Sequence, residues 1–86
     1  MTDADTAEVV DARGLLCPLP VLRLRKRLLA QPVGGTIRLI ATDPAALIDV
    51  PHFCAEGGHA LEATRDIGDG AREFIVRRGP DLPASD

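Results

Sequence analysis

The sequence predicts an α/β two-layer sandwich of order β-α-β-α-β-β, with a mixed four-stranded sheet and both helices on one face. Three observations predict it. Four short β-prone runs alternate with two longer stretches whose apolar residues recur at helical spacing. Clusters of glycine and proline separate these runs. The 86 residues are 45% apolar but only 2% aromatic, enough for one aliphatic core built from Leu, Ile, Val and Ala, and too few for two. Two helices on one sheet face each bury their apolar stripe once, leaving the other face partly open to water.

After a polar lead at 1–7, expected to be flexible, Glu8-Val9-Val10-Asp11-Ala12 forms the first strand and ends before Gly14. From Pro18 to Gln31, Val21, Leu24 and Leu28 recur at helical spacing with Leu22 and Leu29 beside them, while Arg23, Lys26 and Arg27 take other positions. Pro32-Val33-Gly34-Gly35 stops that helix. Thr36 to Ala41 is the clearest strand. Asp43 then offers a capping side chain and Pro44 a residue preset for the first helical turn. The second helix runs through Leu47, Ile48 and Val50; Pro51 should bend or break it before it continues through Cys54 to Gly57-Gly58. His59–Ile67 and Ala71–Arg78 read as a hairpin about a three-residue turn, Gly68-Asp69-Gly70, with Phe74 and Val76 on one face and Ile75 on the other. Residues 80–86 read as a flexible tail, so the predicted domain is 8–79.

The formal net charge is −3, with the acidic excess spread over both ends, which gives no nucleic-acid-binding tail. The first residues are acidic where a secretory signal would be basic and then apolar, and no run approaches membrane-spanning length. A cytoplasmic location is expected, with no direct nucleic-acid or membrane partner. In a reducing compartment Cys17 and Cys54 are expected to be free thiols.

The segment Gly14-Leu15-Leu16-Cys17-Pro18-Leu19-Pro20-Val21 carries the chemistry. It delivers Cys17 to the start of the first helix, where unpaired amides and the helix dipole favour a nucleophilic thiolate. Pro18 is expected at the first helical position and Pro20 within the first turn, which leaves the amides of Leu19 and Val21 to bond the sulfur. No general base is evident, and the helix field is expected to do that work. Arg23, Arg25, Lys26 and Arg27 lie farther along the helix and suit the steering of an acidic partner.

Cys17-Pro18-Leu19-Pro20, preceded by Asp11-Ala12-Arg13-Gly14-Leu15, resembles the signature of the TusA/SirA-like family of small sulfur-carrier proteins. The resemblance continues through Asp43-Pro44-Ala45, Asp49-Val50-Pro51 and Phe53-Cys54 to Arg77-Arg78-Gly79. It implies a two-layer sandwich and a cysteine, here Cys17, that accepts a sulfane sulfur from a cysteine desulfurase or a rhodanese-type donor. It further implies relay of that persulfide to an acceptor protein, in tRNA thiolation, molybdenum-cofactor assembly or sulfur oxidation, with neither a metal nor an organic cofactor. Leu19 departs from the best-known member, which has an acidic residue there, so the resemblance leaves the partner open.

Cys54 reads as a buried packing residue, with a resolving partner for Cys17 as the alternative. His52, His59 and the cysteines lack the spacing of a familiar zinc site. Two other functions compete with sulfur transfer: a non-enzymatic regulatory or redox-sensing module using the same thiol, and a thiol-disulfide oxidoreductase, which the lack of a C-x-x-C pair disfavours.

Overall fold

The computed structural model describes residues 7–80; apart from residues 7 and 80, the flexible lead and tail expected at 1–7 and 80–86 lie outside the described residues. The order is β1 (Glu8–Ala12), α1 (Leu19–Leu29), β2 (Thr36–Ala41), α2 (Ala46–Gly57), β3 (Ala60–Gly68) and β4 (Ala71–Arg77). The four strands form one sheet in the order β1-β2-β4-β3. β1 pairs parallel with β2, and β4 is antiparallel to both β2 and β3, so the sheet is mixed, as expected.

Strand alternation decides what each face carries. Val10 and Ala12 from β1, Ile37, Leu39 and Ala41 from β2, and Phe74 and Val76 from β4 point to one side. There they meet Leu24 and Leu28 of α1 and Ala46, Val50 and Cys54 of α2 in a single core. Pro20, Leu24 and Leu28, four residues apart, are the buried stripe of α1, whereas Leu22 and Leu29 stay largely exposed. Burying each large aliphatic side chain completely contributes about 1.5–3 kcal/mol.

Among the described residues the opposite face carries no helix, but it is not bare. Glu73 and Ile75 are buried there, and the Glu73 carboxylate pairs with Arg38 on one side and with Arg65 at 3.1 Å on the other. A carboxylate taken out of water needs such partners.

Three local expectations are corrected. The Asp69-Gly70 turn is two residues long, because Gly68 pairs with Ala71. Asp69 and Gly70 both have positive φ, 56° and 77°, the backbone of a type I′ hairpin. Helix α2 runs unbroken through Pro51: the carbonyl that loses its donor belongs to Leu47, and both residues are exposed, so water can replace the bond. Helix α1 starts at Leu19, with Pro18 as its cap residue rather than its first helical residue.

Candidate functional site

The loop between β1 and α1 lies beside the loop between β2 and α2, an arrangement that follows from the parallel pairing of β1 with β2. Gly14, at φ 79°, turns the chain, and its amide donates to Thr42 Oγ1 at 2.9 Å. Leu15 N–H returns to the carbonyl of Ala12 at 3.2 Å. Three residues beyond the glycine, Cys17 is exposed at the mouth of α1.

Two carboxylates hold Cys17. Its amide donates to Asp43 Oδ2 at 2.6 Å, and its thiol donates to Asp49 Oδ2 at 2.8 Å. Asp43 precedes α2 and also accepts the Ala45 amide through Oδ1 at 3.0 Å. This is a local turn bond close to the capping role expected of it. Its two amide bonds, from Ala45 first and then Cys17, draw its pKa down. Asp49 lies in the first turn of α2, next to the stripe formed by Ala46, Val50 and Cys54.

This geometry overturns the expectation of a thiolate stabilised by the helix terminus. The Cys17 pKa is raised above the ordinary thiol value, first by the hydrogen bond to Asp49, then by partial loss of hydration, then by the charges of Asp49 and Asp43. Every cause acting on the thiol raises it, and none from the helix end lowers it. Pro18 and Pro20 have no N–H, and the Leu19 amide, expected to bond the sulfur, is taken by the carbonyl of Leu16 at 2.9 Å. Where no general base is evident from the sequence, a carboxylate stands at the sulfur, with Asp49 accepting from the thiol directly.

The basic residues expected to dock a partner are not gathered at the sulfur. Arg23, Lys26 and Arg27 line a groove of about 560 Å³ along β1, together with Val9, Leu19 and Leu22. Arg27 bonds Glu8, and Arg23 is close enough to Asp11 to help hold its carboxyl down at about 2, behind the larger effect of Arg13. Arg25 is exposed and does not line that groove. Apolar surface is nearer to Cys17: its neighbour Leu16 is 71% exposed, and Ile48, beside Asp49, is 75% exposed.

The remaining sulfur and imidazole groups are dispersed. Cys54 is buried in the core, where loss of hydration pushes its thiol up to about 11. His52 pairs with Glu56 at 3.1 Å on the exposed side of α2. His59 packs against Phe53 and accepts the Gly79 amide at its Nδ1. Among the described residues no three His, Cys, Asp or Glu side chains gather in a group able to hold a metal ion, and no helix is long and apolar enough to cross a membrane.

A family model described as sulfurtransferase TusA matches residues 8–78. The chain belongs to the TusA family. Among curated relatives, the sulfur carrier protein TusA of Pseudomonas savastanoi pv. phaseolicola is 40% identical over 73 residues, covering 85% of this chain and 86% of the relative. The protein of the same name from Allochromatium vinosum is 37% identical over 75 residues, 87% of this chain and 97% of its own. The crystal structure of a SirA-like protein from Desulfitobacterium hafniense superposes with a TM-score of 0.74 at 23% identity, covering 84% of this chain and 97% of that one, which shows the shared fold.

Asp49 and Thr42 are the site residues that the residue-level reading did not single out. Asp49 had a usable signal, an acidic residue abutting the apolar stripe of its helix, and it stands within a segment that resembles the family. Thr42 had none, because its role depends on two loops meeting in space.

Proposed function

We propose that the chain is a sulfur carrier that takes a sulfane sulfur onto Cys17 as a persulfide and passes it to an acceptor protein, acting as a sulfurtransferase. The observation that carries this reading is an exposed Cys17 held at both its amide and its sulfur by side chains from the neighbouring loop and helix. A cysteine serving only as a small core hydrophobe would need no such holding.

The Cys17 sulfur attacks the terminal sulfur of a donor persulfide. The new S–S bond forms as the donor's S–S bond breaks, and the donor cysteine leaves as a thiolate that takes up the proton Cys17 has lost. The number of persulfides is unchanged, so no oxidant or reductant is consumed. An acceptor thiolate repeats the exchange in the second half of the cycle. A cysteine desulfurase or a rhodanese-type protein fits the donor role. The exposed Leu16, Leu19 and Ile48 give such a partner an apolar surface around the sulfur, and Arg23, Arg25, Lys26 and Arg27 supply positive charge for an acidic rim.

Incubation with a cysteine desulfurase and cysteine, followed by intact-mass spectrometry, tests the reading. A gain of about 32 Da that reductant removes and that Cys17→Ser lacks is expected from persulfide exchange. A gain that persists in Cys17→Ser, or none with either donor class, overturns it.

A further inference from the structure

We propose that Asp49 is a catalytic residue that restrains Cys17: in the free carrier its carboxylate keeps the sulfur protonated and slow to react, with Asp43 fixing the backbone that presents the sulfur to it. The inference rests on the carrier reading for its meaning, but its geometry is independent of it. The S–H of Cys17 donates to Asp49 Oδ2 at 2.8 Å, and Asp43 anchors the Cys17 amide at 2.6 Å.

The charged groups set against the sulfur are Asp49 from α2 and Asp43 from the loop between β2 and α2. On the sulfur's own helix the first charge is Arg23, six residues along, and it faces Asp11. Negative charge thus surrounds the thiol, and a thiolate formed there would repel Asp49 and leave its Oδ2 without a donor. The bond from S–H to Oδ2 exists only while the proton is on sulfur, so the arrangement it describes is thiol with carboxylate.

The consequence for a carrier is chemical selectivity. Oxidation and alkylation both follow thiolate character, so an exposed cysteine held as a thiol survives between encounters better than one poised as a thiolate. A cationic side chain on a docking donor, pairing with Asp49, would remove both the acceptor and the opposing charge and so release the nucleophile where it is needed.

The test is the pH profile of iodoacetamide alkylation at Cys17, read by peptide mapping in the full chain. For the wild type, the midpoint should lie above that of the same cysteine in urea-unfolded protein; a midpoint at or below the unfolded one overturns the proposal without any variant. In Asp49→Asn the midpoint should fall, and each unit of fall should raise the thiolate fraction at neutral pH roughly tenfold and the rate roughly threefold, because a less basic thiolate is a weaker nucleophile. An unchanged or higher midpoint overturns it. Cys54 remaining unlabelled shows that the variant is folded, and the wild-type profile decides the matter should it not fold. Sulfur uptake from a desulfurase is scored separately: absence of the 32 Da gain would sink the carrier reading while leaving the alkylation result to stand or fall alone.

Discussion

The two cysteines are both held in the protonated form, but by different physics. Cys54 is buried among Ala46, Val50 and the strands, and lost hydration alone pushes its thiol up to about 11. Cys17 is exposed, and its pKa is raised first by a hydrogen bond to Asp49. A cost set by burial is relieved only when the fold opens. One set by a neighbouring carboxylate is relieved by a side-chain rotation or by a cation arriving from outside. The difference teaches which thiol can be switched by a partner and which cannot.

The largest expected effect is on access. In the native protein Cys54 should be alkylated at least ~10³-fold more slowly than Cys17, because its labelling requires opening of the core. Peptide mapping of a labelling time course measures both sites at once, and comparable rates would break the contrast. Leu24→Ala sharpens it. Truncating a completely buried leucine should cost about 2–5 kcal/mol, seen as a lower urea midpoint, and should speed Cys54 labelling while leaving Cys17 labelling nearly unchanged.

An intermediate effect is the alkaline limb of stability. The Cys54 pKa rises from 9.0 in the reference state to about 11 in the fold. Between those values the native state keeps a proton that the unfolded chain has lost. The stabilising contribution is therefore fully present below about pH 9 and falls away as pH rises toward 11, by roughly 1.4 kcal/mol per unit. Cys54→Ala should lose this part of the slope and lower stability at neutral pH by roughly 1 kcal/mol. Urea titrations of both proteins at several pH values between 8 and 11 measure it; parallel curves would mean that the folded thiol titrates no later than the unfolded one.

The contrast between the cysteines was half legible in the sequence. Cys54 follows Phe53 on the apolar part of its helix, and periodicity alone suggests a buried position. Cys17 lies between a glycine turn and a proline-flanked helix start, which suggests exposure. The succession of elements and the single layer of helices follow from the same periodicities, because each strand and helix has one apolar side to cover, whereas the strand order across the sheet does not. The protonation of Cys17 was not legible. It depends on Asp43 and Asp49, 26 and 32 residues away, which reach the sulfur only because β1 and β2 run parallel and set their following loops side by side. A helix terminus is a local feature and can be read from sequence; the carboxylates opposing it are tertiary neighbours, and Asp49 bonds the sulfur directly while Pro18 and Pro20 carry no N–H and the Leu19 amide is bonded to Leu16. The length of the hairpin turn was missed for a similar reason: Gly68-Asp69-Gly70 permits two registers, and cross-strand pairing with Ala71 selects one.

The smallest expected effect separates contact from field at Cys17. Asp43 bonds the cysteine's amide and acts on its sulfur only through space, and its charge is the last of the causes raising the thiol. In Asp43→Asn a single oxygen replaces the two that accept the Ala45 and Cys17 amides, so one of those amides loses its acceptor and stability should fall by about 1 kcal/mol. The alkylation midpoint of Cys17 should fall, but by less than in Asp49→Asn. Added salt should narrow the gap between wild type and Asp43→Asn, because a through-space effect at an exposed site is screened. It should leave most of the Asp49 effect in place, because a direct hydrogen bond is not. A larger fall in Asp43→Asn than in Asp49→Asn would mean that the general negative field, not the bonded carboxylate, sets the acidity of this sulfur.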